Sequence, residues 1–115
     1  MSDTTGADRY FAEAIAALER VRVDQAANLA QAAELLVEAV ATGHQIFSFG
    51  ASHSFMLTEE LVYRTGGLML VNPVYPHGMN LMVRPMTMTS QLERVLGLGA
   101  ELLRGTAIGT GDVLL

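Results

Sequence analysis

Two short apolar runs, separated by a glycine turn, an amphipathic stretch and a glycine pair, constrain this chain more than any other feature. Gln45-Ile46-Phe47-Ser48-Phe49 lies between Gly43 and Gly50, and its aromatic and β-branched content predicts a strand buried on both faces. The stretch from Phe55 to Thr65 then sets Leu57, Leu61 and Val62 beside Glu59, Glu60 and Arg64 and stops at Gly66-Gly67, which predicts a helix. Leu68-Met69-Leu70-Val71, closed by Asn72-Pro73, predicts a second strand. Strand, helix and strand within about thirty residues imply a parallel pair joined by a right-handed crossover.

The flanks fit an α/β domain. From Asp8 to Thr42 there is neither Gly nor Pro, and Phe11, Ile15, Leu18 and Val21, then Leu29, Ala33, Leu36 and Val40, fall at helical spacing. Val21 to Asp24 mixes β-branched residues with charges, and Asp24 is a candidate cap, so two helices with a bend are predicted, the second ended by Gly43. Ala32, Ala33, Leu36 and Ala39 of the second allow another helix to approach closely, from the same chain or from a partner subunit. Val74 to Thr89 holds Pro76, Gly78 and Pro85 with Met79, Met82, Met86 and Met88 and keeps no period. It is predicted to be a long loop, a kind of segment that often lies over a binding site. Ser90-Gln91-Leu92-Glu93 matches a capping box, predicting helical pieces over Gln91–Leu96 and Leu98–Arg104. Gly109-Thr110-Gly111-Asp112 is a turn, and Val113-Leu114-Leu115 begins a third apolar strand with no residues to finish it, from which truncation is expected. The expected organisation is a helical segment over 1–43 and the first half of an α/β domain over 44–115.

Composition removes several classes of function. The chain has 115 residues, half of them hydrophobic, enough for a core. A net charge of -5 with seven Lys plus Arg argues against a nucleic-acid partner. Cysteine is absent, so disulfides, thiolate catalysis and thiolate zinc sites are excluded. The first ten residues do not read as a signal peptide, and no stretch approaches the ~20 apolar residues of a membrane span, so a cytoplasmic protein is expected.

Chemistry concentrates in Gly50-Ala51-Ser52-His53-Ser54, at the carboxyl end of the first strand and directly before a helix. First-turn amides lack partners within a helix and its dipole is positive there, so a phosphate is stabilised, with the Ser52 and Ser54 hydroxyls as extra donors and Gly50 allowing the turn. The competing reading is plain turn and capping chemistry. The spacing matches neither a Walker loop nor GxGxxG, which disfavours nucleotides but not phosphorylated metabolites.

These residues, together with Glu59-Glu60-Leu61, Arg64-Thr65-Gly66-Gly67-Leu68, Val71-Asn72-Pro73, Leu92-Glu93-Arg94, Gly111-Asp112-Val113-Leu114 and the paired N-terminal helices, resemble the sugar isomerase (SIS) domain family. Within it the similarity is to a bacterial phosphosugar-binding group related to phosphoheptose isomerases and N-acetylmuramic acid 6-phosphate etherases. The resemblance implies a three-layer α/β/α flavodoxin-like fold with a parallel sheet of five strands, of which about three would lie here. It also implies a homodimer or homotetramer, no cofactor, and a sugar phosphate held by two Ser/Thr-rich loops, only the first of which is in this chain. Ser52 stands where close relatives often carry Gly, and Met56 where the phosphoheptose isomerases carry a His one turn before the glutamates.

The chemistry implied is proton removal beside a carbonyl, in an isomerase or a dehydratase/lyase acting on an amino-sugar phosphate such as N-acetylglucosamine 6-phosphate. A non-catalytic phosphosugar sensor and a purely structural dimerisation module are the alternatives. Such a step needs a carboxylate base and a donor at the carbonyl oxygen. Glu59 and Glu60 are the candidates; adjacent on a helix, they diverge by about 100° and cannot both face one substrate. The resemblance favours Glu60, and a solvated Glu59 pairing with Arg64 or Tyr63 is the bland alternative. His53 has three candidate roles: protonating a ring oxygen, donating to phosphate, or packing the loop. His77, Asn80 and Arg84 are candidate contacts to sugar hydroxyls or a neighbour's phosphate, and their spacing fits no metal motif. His44, at the amino end of its strand, is expected to be structural.

Overall fold

The computed structural model describes residues 5–115. The chain forms two compact units, one ending at Leu35 and the other spanning Leu36–Leu115, a division that falls inside a helix. The first unit is built on α1 (Gly6–Asp24), and α2 (Ala26–Ala41) starts in it and runs into the second. The predicted bend is present at Gln25, which caps α1 by donating its amide to the Val21 carbonyl. At the other end of α1, Thr5 and Asp8 form a reciprocal capping box that the sequence reading passed over.

The second unit carries β1 (Ile46–Phe49), a 3-10 turn (Ser52–Ser54), α3 (Phe55–Leu61), β2 (Val71–Val74), α4 (Met88–Leu92), α5 (Leu98–Arg104) and β3 (Val113–Leu114). Its strands form a parallel sheet in the order β2-β1-β3. Mixed helices on a parallel sheet with β1 central are the α/β architecture expected, and the order is that of the first three strands of a flavodoxin-like sheet. Ile46 and Phe47 are buried on β1, Val71 and Val74 on β2, and Phe55, Met79 and Ala39 complete the core.

Three local expectations are corrected. The second strand is Val71–Val74, not Leu68–Val71, and Leu68, Met69 and Leu70 stay exposed. Pro73 is admitted because of the register. Phe47 and Phe49 bond to Leu115 on the β3 side, so the amide and carbonyl of Ser48 face β2, where they straddle their partner Pro73 and leave its missing N–H without consequence for the ladder. The helix after the loop ends at Leu61 rather than Thr65: Val62 is extended and Tyr63 adopts φ +51°. The capping box at Ser90 does not form, since α4 already begins at Met88 and Ser90 lies inside it; the second piece, Leu98–Arg104, is as expected.

β3 is fastened to the start of β1 by a side chain. Asp112 accepts the Gln45 and Gly109 amides, each at 2.8 Å, and its carboxyl is held below the usual carboxylate range by these two bonds and, less, by nearby His44. His44 lies 3.8 Å from Asp112 at the amino end of the sheet.

Candidate functional site

The loop 50–54 leaves the carboxyl end of the central strand, where the strand order reverses: the chain moves from β1 to β2 on one side and returns as β3 on the other. Ligands of open α/β sheets sit at such a point. Gly50 is required there sterically. A Cβ on it would lie 2.3 Å from the Ser54 carbonyl oxygen and 2.6 Å from the Phe55 nitrogen, both backbone atoms that cannot step aside.

The loop's donors are only partly free. The Ser52 amide donates to the Met79 carbonyl at 2.7 Å, tying the loop to the segment after β2, and the Ser54 amide donates to the Ala51 carbonyl at 3.1 Å. Ser52 is held at φ +56°, a left-handed conformation uncommon outside Gly, Asn and Asp. Among the described residues, the Ser52 and Ser54 hydroxyls and the His53 ring make no hydrogen bond, and the amides of Ala51 and His53 enter none of the loop or turn bonds. The loop therefore presents two hydroxyls, two amides and an exposed imidazole, fewer donors than a fully open helix start would give.

Directly beyond the loop, α3 and the segment after β2 enclose a cleft of about 380 Å³, lined by Phe55, Glu59, Tyr75, His77 and Asn80 among others. The rotation of α3 decides which glutamate enters it. Thr58 is fully buried, and its hydroxyl meets that of Ser48 on β1 at 2.9 Å. A buried hydroxyl is costly unless paired, so this contact fixes the inward face of the helix. Glu59 then lines the cleft, whereas Glu60 faces away and forms an exposed ion pair with Arg64. Sequence reasoning noted both glutamates but had no signal for choosing by packing, because the Ser48–Thr58 contact joins two elements.

The other candidates divide. His77 and Asn80 line the cleft, with Asn80 Oδ1 accepting the Met82 amide at 3.0 Å. Arg84 instead turns back on its own loop and donates to the Leu81 and Val83 carbonyls at 3.3 and 2.9 Å. Of the methionines, Met79 is buried in the core while Met82 and Met86 are exposed. Tyr75, which the sequence reading did not single out, forms part of the cleft wall. Among the described residues no three side chains of the metal-ligating kind converge, and no helix is long and apolar enough to cross a membrane.

Comparison with known proteins agrees with this architecture. The chain is 41% identical over 108 residues to a UPF0309 protein of Shouchella clausii, covering 93% of the chain and 44% of that protein. It is 41% identical over 115 residues to one from Streptomyces avermitilis, covering 99% of the chain and 46% of that protein. A relative from Brucella anthropi is 37% identical over 108 residues, 94% of the chain and 44% of its own length. The chain thus spans less than half the length of these relatives. The family model described as SIS domain matches residues 9–115, the stretch that contains the three-stranded sheet, the loop at its switch point and the cleft, and the chain belongs to the SIS domain family.

Proposed function

We propose that the protein binds a sugar phosphate, with the phosphate against Ser52, His53 and Ser54 and the carbon chain in the adjoining cleft. On this reading it is an isomerase or a dehydratase/lyase acting on an amino-sugar phosphate. A SIS domain points to a phosphosugar ligand. The observation that carries the reading is the placement of unpaired hydroxyls at the carboxyl end of the central strand, next to a cleft with one carboxylate facing in.

Glu59, rather than Glu60, takes the proton from the carbon beside the carbonyl. The negative charge that develops on the carbonyl oxygen is met by donors from His77 or Asn80. Return of the proton to the former carbonyl carbon, with the proton of the heteroatom on the adjacent carbon passing to the former carbonyl oxygen, completes an isomerisation; re-formation of the carbonyl with departure of a group from the next carbon completes an elimination. Glu60, already paired with Arg64 in solvent, contributes little to either.

The test is NMR of the intact protein with N-acetylglucosamine 6-phosphate in deuterated water. Deuterium entering the position next to the carbonyl supports catalysis, and binding without exchange identifies a sensor. Glu59→Gln is expected to leave binding within about twofold while lowering exchange by at least 100-fold, the lower end of what general-base catalysis supplies. Glu60→Gln is expected to stay near wild type. The opposite pattern returns the base to Glu60.

A further inference from the structure

We propose that the cleft beyond β2 recognises the closed ring form of the sugar, with Tyr75 as the surface on which the ring's C–H face lies. This rests on the phosphosugar reading above and adds to it what the ligand must present: a ring, not only a phosphate and an open polyhydroxyl chain.

Tyr75 follows the last residue of β2 and so stands at the carboxyl end of the sheet, on the same side as the loop 50–54. Its side is braced by Phe55, with ring centroids 5.2 Å apart and planes inclined at 58°. Phe55 is 6% exposed and anchored in the core, whereas Tyr75 is 51% exposed. An aromatic ring held firmly from one side and open on the rest is a preformed platform, because little side-chain freedom remains to be lost when a ligand settles on it. The surroundings suit a sugar. A carboxylate from Glu59, an imidazole from His77 and the amide of Asn80 share the cleft with the ring. Since Asn80 Oδ1 is engaged by the Met82 amide, its NH₂ group is the end left to donate to a hydroxyl. Apolar ring face below and hydroxyl-binding groups at the side are complementary to the two kinds of surface a pyranose carries. Phe55, which also lines the cleft, is buried and packed on Tyr75 itself, and Pro76 and Val83 supply the apolar remainder of the wall. The volume, about 380 Å³, lies within the ~300–1,000 Å³ of small-molecule sites.

The experiment titrates the isotopically labelled intact protein with four probes: N-acetylglucosamine 6-phosphate, the corresponding open-chain alditol 6-phosphate, inorganic phosphate and a nucleoside monophosphate. The ring sugar is expected to show upfield ring-current shifts of its C–H protons and to move the Tyr75 ring signals, whereas alditol and phosphate move Ser52 and Ser54 and leave the Tyr75 ring signals in place. Tyr75→Ala is expected to weaken the ring sugar roughly five- to tenfold and the alditol less than about twofold, with Tyr75→Phe restoring wild-type affinity. Equal weakening of both, a bound ring sugar without ring-current shifts, or a nucleotide that moves Tyr75 more than the sugar does, overturns the proposal. Silence of Ser52 and Ser54 toward every probe overturns the underlying phosphate reading instead. Response of the serines without Tyr75 overturns only the platform. The shifts are read on the wild-type protein, so the outcome does not depend on the variants folding.

Discussion

A methyl group at residue 50 would stand 2.3 Å from the carbonyl oxygen of Ser54, while two residues later a serine occupies backbone space that glycine fills more easily. These neighbouring positions make opposite predictions. Gly50→Ala forces the loop open, because its obstacles are backbone atoms; a loss of about 1–3 kcal/mol, typical of overpacking, is expected in urea unfolding, together with loss of phosphosugar binding. Ser52→Gly relieves a left-handed residue, and stability is expected to rise by up to about 1 kcal/mol. The same change removes a hydroxyl from the proposed phosphate contacts, so affinity should fall as stability rises. Parallel movement of the two quantities in Ser52→Gly would show that the serine is there for the backbone and not for a ligand. The importance of Gly50 was legible in the sequence, from its position between a strand and a helix. The partnership of Ser52 with Met79 was not, since it spans a long loop with no period to betray it.

At the level of the elements, β1 was legible almost to the residue because an apolar run between glycines has few other uses, and the bend near Asp24 was visible in the charges interrupting a helical stripe. β2 was displaced because Asn72-Pro73 reads as a strand end, and only the register with β1 reveals that Pro73 points its missing donor away. Which glutamate lines the cleft was not legible for a related reason: the rotation of α3 is set by Thr58 meeting Ser48 across two elements, not by the helix's own pattern. A third joint, Asp112 at the start of β3, carries a pH prediction. Its carboxyl is lowered in the folded chain chiefly by the Gln45 amide and then by that of Gly109. Its ionisation therefore favours folding above the unfolded value of about 3.9, and this contribution fades as the pH falls through that value and on through the lower folded one. Asp112→Asn is expected to cost most at neutral pH and progressively less toward about pH 2 in urea melts. A difference that stays constant with pH would mean that the side chain acts by shape alone.

Taken whole, the described chain leaves much apolar surface in water, and this belongs to the sequence as much as to the fold. α1 has no buried residue, and its stripe of Phe11, Ile15 and Leu18 is 62%, 61% and 70% exposed. In the second unit, Phe49, Val74, Leu102, Leu103 and Leu114 surround an apolar depression of about 110 Å³ on the sheet. A parallel sheet is stable when both faces are covered, and contiguous apolar patches of this kind mark surfaces that pack against something. The helical stripe was legible from spacing alone, but its packing partner could not be, because amphipathicity encodes that a face is covered and not by what. The 115-residue chain by itself is accordingly expected to self-associate. In sedimentation runs its average mass should climb with concentration, since burying each large apolar side chain gains about 1.5–3 kcal/mol. Ile15→Glu with Leu18→Glu should lower that mass at a given concentration if the helical stripe is the contact, while Leu103→Glu should do so if the sheet depression is. A chain that stays monomeric at all concentrations would mean that neither face binds a second copy, and would remove the expected homodimer or homotetramer from the reading of these residues.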